Sequence, residues 1–158
     1  MKAYSVGFQI KDVVLLYALF NVAFVVVSAP IGRIGDRIGR KKIIAAEYII
    51  YLLMSVGFVF ATTQVAVIIL FVLFGIFYAI DEGQSKAYIS DLEKKKRGTA
   101  IGVYNFVTGL VYLPASIIAG YLWVINPDYA FIFAAFVSVM ALIVFLSRDI
   151  KSKVYSGA

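Results

Sequence analysis

Residues 32–42 read GRIGDRIGRKK, a glycine-punctuated basic segment set between two long apolar runs. Arg33, Arg37, Arg40, Lys41 and Lys42 are costly to place in hydrocarbon, whereas the roughly twenty residues on each side are long enough to cross it. The segment therefore reads as a tight loop at a membrane surface. Taken as charge alone it is a positive-inside anchor. Its ordering says more: glycines at 32, 35 and 39 permit tight turns, and Asp36 is a single carboxylate among five cations. That carboxylate is placed to accept from a helix N-terminus or to pair with an adjacent Arg.

Composition agrees with a membrane setting. The chain has 158 residues, 63% of them hydrophobic, and a mean hydropathy of +0.94; water-soluble domains sit near half apolar. The formal charge of +6 is not a nucleic-acid footprint, because the cations fall in loops and not on one soluble face. The chain has no Cys, which removes disulfides, thiolate nucleophiles and zinc ribbons. It has no His either, which removes the commonest general base and metal ligand. No metal site and no cofactor are expected. The opening MKAYSVGFQIKD lacks the apolar core and small-residue cleavage site of a signal peptide and reads as a polar lead into the first span.

The hydropathy pattern predicts an all-α membrane protein with five transmembrane helices, at approximately 13–31, 43–61, 65–89, 99–124 and 129–146, forming one transmembrane domain over residues 1–158. The first span is expected to end near Pro30 and Gly32. Glu47 falls in the first turn or two of the second span, close enough to the surface to stay near water. Thr62–Gln64 and Asn126–Asp128 read as short turns, and Ser90–Gly98 as an aqueous loop. Twelve of the fifteen Lys and Arg residues lie in three places: the first loop, Lys94–Arg97, and the tail at Arg148, Lys151 and Lys153. Cations accumulate in cytoplasmic loops, so the N-terminus is expected outside and the C-terminus inside the plasma membrane.

The fourth span carries Gly98, Gly102, Asn105, Gly109, Tyr112, Ser116 and Gly120 at spacings of three or four, a small and polar face opposite Val103, Phe106, Leu110, Leu113, Ile117 and Tyr121. Pro114 removes a backbone donor in mid-span, which points to a protein interior. The third span has a similar face in Gly75, Tyr78, Glu82 and Ser85. Spans three and four are thus expected to look inward, with five, and two apart from Glu47, outward. Asp81, Glu82 and Lys86 are the deepest ionisable residues, and Glu82 to Lys86 is the favourable i, i+4 order for a helix ion pair. They read either as a gate or coupling site or as a structural pair snorkelling to the surface. Lys94–Arg97 reads as a solvated loop, with anionic lipid as the weaker alternative.

Gly32, Ile34, Asp36, Arg37, Gly39, Arg40, Lys41 and Ile44 resemble the signature loop of the major facilitator superfamily, with Ile34 and Ile44 standing where the family pattern has Leu. The stretch DEGQSKAYISDLEKKKRGTAIGVYNFVTGLVYLPASIIAGYLW is similar to the tenth and eleventh helices of bacterial and archaeal members. The resemblance implies an incomplete six-helix half-bundle, helices eight to twelve of the carboxy-terminal half, lacking a seventh helix. It places spans one, three and four along a central cavity, with Asn21, Tyr78, Glu82, Asn105, Tyr112 and Ser116 as candidate lining residues. The signature segment (Gly32, Asp36, Arg37, Gly39, Arg40 and Lys41) would act as a gate, with Asp36 latching against a partner this chain does not contain.

The implied function is secondary transport of a small solute by alternating access, completed by a complementary helical half or a homo-oligomer. H+ or Na+ is the expected coupling ion, with Glu82 the candidate for proton coupling. The alternative is a non-transporting scaffold or split-gene remnant. An intramembrane enzyme is disfavoured: Asp81 and Glu82 are neighbours pointing about 100° apart on an α-helix, not a facing pair.

Overall fold

The structure, a computed structural model, describes the backbone of residues 6–156 and the side chains of residues 6–147. Lys2 and the tail cations Arg148, Lys151 and Lys153, which enter the orientation reading, lie outside the described residues or side chains. Every regular element described is helical. The order is α1 (Ile10–Ile38), α2 (Arg40–Phe60), α3 (Gln64–Ile80), a π-helical turn (Asp81–Ser85), α4 (Lys86–Leu92), α5 (Arg97–Ile125) and α6 (Pro127–Ser156). Five stretches are long and apolar enough to cross a membrane, because α3, the π turn and α4 run on as one helix from Gln64 to Leu92.

The basic segment is not the expected loop. Helix α1 passes through Pro30 and Gly32 and ends at Ile38, and α2 begins at Arg40. The whole reversal is made at Gly39, whose φ of +97° is in the region that glycine adopts without a Cβ penalty. Its N–H closes the last turn of α1 on the Gly35 carbonyl at 3.0 Å, and its carbonyl accepts from Lys42 N–H at 3.1 Å. The remaining turns are held by local polar groups. Thr63 Oγ1 accepts from Ala66 N–H at the start of α3, and Asn126 Oδ1 accepts from Asp128 N–H at the start of α6.

Two buried clusters hold the bundle. Leu16, Met54, Val67 and Leu70 join α1, α2 and α3 at one end; Ile31, Ala79 and Ile80 join α1 to the end of α3. Between them α1 and α3 come into backbone contact, since a Cβ on Gly75 would lie 2.7 Å from the Phe20 carbonyl oxygen. Phe20 stacks on Phe74 at 4.8 Å in the same layer. Helix α2 is wedged between α3 and α6. Tyr51 meets Phe77 on one side, while Phe58 stacks on Phe131 and Ser138 Oγ donates to the Tyr48 carbonyl on the other. The one polar residue inside the fifth span thus fastens α6 to α2.

Several expectations about faces are overturned. The second span is not mostly outward: α2 buries Ile44, Glu47, Met54 and Ser55. Glu47 is 5% exposed. Helix α2 starts three residues earlier than the predicted span, which sets Glu47 deeper along the helix, and α2 packs against the π turn, α3 and α6. The fourth span is the least enclosed, with no buried residue in α5. Its small residues make no close helix contact, as a Cβ at Gly98, Gly102, Gly109 or Gly120 meets nothing within 4 Å. Pro114 is exposed as well.

The tightest approach outside the Gly75 layer is at Gly35. The π turn swings Gln84 onto α1, where its side chain is 2% exposed and its Nε2 donates to the Ile31 carbonyl at 3.1 Å. A Cβ on Gly35 would lie 2.2 Å from Gln84 Oε1. Gly35→Ala must therefore displace the amide and break its bond, a loss of about 1–3 kcal/mol. Gly32→Ala, whose Cβ meets nothing within 4 Å, should be neutral or stabilising by up to about 1 kcal/mol through helix propensity. Denaturation in detergent micelles checks both. The Gly35→Ala/Gln84→Ala pair should cost less than the sum of its single substitutions, because both remove the same contact.

Candidate functional site

The ionisable residues of the third span sit at a change of helix pitch. An α-helix would send Asp81 and Glu82 to different sides. Over Asp81–Ser85 the helix widens to a π turn, a local insertion that often marks functional positions. Asp81 and Glu82 then line one cleft together. Tyr78, Glu82 and Lys86, at successive spacings of four, form one wall with Asp81. Tyr104, Asn105, Thr108, Gly109 and Tyr112 of α5 form the other, again at the spacing of one helix face. The cleft has a volume of about 260 Å³.

Its polar groups are fixed from within. Lys86 Nζ is bonded to Glu82 Oε1, one turn back along the helix. Tyr104 of α5 lies within polar reach of Ser85 on the π turn and of Thr108 on its own helix. The outer rim is open: Tyr78 is 39% exposed and Tyr112 60%. Behind Asp81 lies Glu47 on α2, within electrostatic reach of it. The arrangement offers a solute hydroxyl, amide and carboxylate contacts beside one ammonium, on two rigid helices.

Of the sequence candidates, Tyr78, Asp81, Glu82, Lys86, Asn105 and Tyr112 are brought together here. Asn21 and Ser116 are not among the lining residues; Asn21 Nδ2 instead donates to the Tyr17 carbonyl of its own helix at 2.7 Å. Tyr104, Thr108 and Gly109 were not singled out as lining residues, although Tyr104, Thr108 and Tyr112 repeat every four residues.

The signature residues form a second constellation. Asp36 has a partner within the chain: its Oδ1 is 2.9 Å from Arg40 Nη2 across the Gly39 reversal. Arg40 Nε reaches on to Asp91 Oδ2 at the end of α4, at 2.6 Å. One guanidinium thus clasps the ends of α1, α2 and α4. Gly32, Asp36 and Arg40 border a cleft of about 300 Å³ that also touches Glu82 and Gln84, so Glu82 lies between the signature residues and the α3–α5 cleft. Arg37 and Gly39 are exposed, and neither they nor Lys41 border this cleft. No group of three or more His, Cys, Asp or Glu side chains among the described residues could hold a metal ion.

Comparison with known proteins accords with this architecture. Residues 3–157 match the family model of the Major Facilitator Superfamily. Over 131 residues the chain is 44% identical to an uncharacterized MFS-type transporter of Methanocaldococcus jannaschii, covering 82% of this chain and 32% of that protein. No solved structure matches. The chain belongs to the major facilitator superfamily, a family of membrane transporters, and is a multi-pass membrane protein. It spans about a third of the length of the relative it matches.

The Asp36–Arg40–Asp91 network is partly solvated, with side-chain exposures of 63%, 25% and 58%. Partly exposed pairs of this kind contribute up to about 1 kcal/mol. A double-mutant cycle with Arg40→Met and Asp91→Asn should give a coupling in that range that disappears at about 1 M salt, where the screening length falls to about 3 Å.

Proposed function

We propose that this chain is the helix-eight-to-twelve portion, in the carboxy-terminal half, of a secondary transporter that moves a small solute by alternating access. The observation that carries the reading is the α3–α5 cleft. Asp81, Glu82, Lys86, Tyr104, Asn105 and Thr108 converge there, and ionisable groups within a span are retained where they serve an aqueous path. Glu82 is about ten residues from Leu92, or about 15 Å along the helix. On this reading the five spans form one transmembrane domain over residues 1–158. The chain lies in the plasma membrane with its N-terminus outside and its C-terminus in the cytoplasm, and it binds solute without covalent chemistry, as a carrier and not an enzyme.

Alternating access needs two walls that rock about a central site. The cleft described here has α3 and its continuation on one side, α5 on the other, and an exposed rim at Tyr78 and Tyr112. A complementary helical half, or a second copy of the chain, supplies the opposing wall in this proposal. The Asp36–Arg40–Asp91 clasp is the gate at the cytoplasmic end, and H+ or Na+ is the coupling ion.

The lack of any Cys in the chain makes the cleft directly testable. Single cysteines at Asn105 and Tyr112 should react with a membrane-impermeant thiol reagent in native membranes. Cysteines at Val103 and Phe106 on the opposite face of α5 should not. Equal protection at all four positions would favour a lipid-embedded scaffold without a solute path. A companion experiment addresses the second wall: the chain, extracted gently, should bring with it a second apolar polypeptide or a second copy. A chain that is monomeric in liposomes and still catalyses solute flux would overturn that part of the reading.

A further inference from the structure

Glu47 is a carboxylic acid in an enclosed place that the cleft does not use. It lies in the second turn of α2, a helix that packs against the π turn and α3 as well as α6. It is 5% exposed, and its Oε2 has no hydrogen-bond partner. Among the described residues the other buried side-chain atom without a partner is Gln84 Oε1, on the π turn that α2 packs against. Both are oxygens, so what this interior lacks is donors. An ionised carboxylate left buried and unpaired is strongly disfavoured, and such a group ordinarily takes up a proton instead.

The surrounding groups decide which ligand fits. Tyr48 on α2, Asp81 on the π turn and Tyr104 on α5 are within electrostatic reach of Glu47. Asp81 has Glu82 and Lys86 beside it, but Lys86 is bonded to Glu82. On α1 the charged side chains nearest the basic segment, Arg33, Asp36 and Arg37, are exposed. On α6, Phe145 lies beside Tyr48 and Phe131 beside Phe58, which places Asp128 toward the far end of α2. With Glu82 engaged by its ammonium, the enclosed Glu47 and the cleft-lining Asp81 are two carboxyls within electrostatic reach of one another, and like charges so placed do not both ionise freely. The donor set is too small for a metal ion, whereas a proton needs one oxygen.

We propose that Glu47 and Asp81 form a proton site behind the cleft, holding one proton between them. The proton rests on Glu47. On release the O–H bond of Glu47 breaks, the Asp81 carboxylate accepts the proton, and Asp81, which lines the cleft, delivers it to water there. This assigns proton binding to Glu47 and Asp81 in place of Glu82. It does not depend on solute transport, so its failure and the failure of the transport reading are separate results.

Infrared spectroscopy of the full chain in lipid nanodiscs tests the site through the carbonyl band of a protonated carboxyl group. At neutral pH the wild type should show that band, Glu47→Gln should lose it entirely, and Glu82→Gln should retain it. Asp81→Asn should keep the band but move its disappearance to lower pH, because the like charge opposing ionisation is gone. A wild type without the band, or a band that survives Glu47→Gln or vanishes in Glu82→Gln, would overturn the proposal. An unmoved titration in Asp81→Asn would overturn the sharing. Should Glu47→Gln fail to fold by circular dichroism, dicyclohexylcarbodiimide modification of the wild type, mapped by mass spectrometry, decides the matter. Label on Glu47 supports the site, and label on Glu82 alone, or none, refutes it.

Discussion

The contact of Gln84 with Gly35 is the constraint on which the arrangement turns. It joins the middle glycine of the basic segment to the π turn that carries the cleft carboxylates. Because the Gln84 amide is anchored to the Ile31 carbonyl, the π turn cannot rotate without drawing on α1. The Arg40 clasp acts on the same end of the bundle, tying α1 and α2 to the end of α4. Signature segment and cleft are therefore parts of one mechanical unit, and Glu82, which borders both clefts, stands where they meet.

Hydrocarbon requires every backbone polar group to be satisfied within the protein, and this explains the continuity of the helices. A loop at residues 32–38 would leave several N–H and C=O groups to find partners at a membrane surface. Helix α1 instead continues to Ile38 and concentrates the reversal in one residue, Gly39. The same requirement explains why the third span accommodates its polar residues by widening to a π turn while remaining one helix to Leu92. Changing the pitch re-aims Asp81, Glu82 and Gln84 while the chain stays hydrogen-bonded.

Much of this was legible in the sequence, and the limits have physical causes. The five spans follow from the length of the apolar runs, and the cleft positions Tyr78, Glu82, Lys86, Asn105 and Tyr112 follow from helical periodicity. Periodicity assumes a constant pitch, however, so it could not turn Gln84 toward α1. Glycine reads from sequence as freedom to turn, yet only Gly39 of the three in the segment turns. Gly35 is there for lack of volume, and Gly32 is simply helical. Hydropathy likewise cannot say which face of a uniformly apolar helix meets protein, and that is why α2, apart from Glu47, reads as outward from the sequence.

The enclosure of α2 and the exposure of α5 bear on how the molecule is completed. In the described bundle α2 is packed between α3 and α6, while α5 buries no residue. A helix that merely shielded the bundle from lipid would have no use for Asn105, Thr108 and Tyr112 on one side. The polar groups lie on the side that meets Asp81 and Glu82, and the bulky residues Phe106, Leu113 and Ile117 lie away from it. This asymmetry is what one wall of a solute path requires: a helix wetted on one face and packed against lipid or another helix on the other. It supports the proposal that the exposed rim at Tyr78 and Tyr112 is where further helices close the site. On that view the low burial of α5 reflects its place beside a moving boundary, since a helix that must slide between two arrangements cannot be locked into the core that Leu16, Met54, Val67 and Leu70 form on the other side.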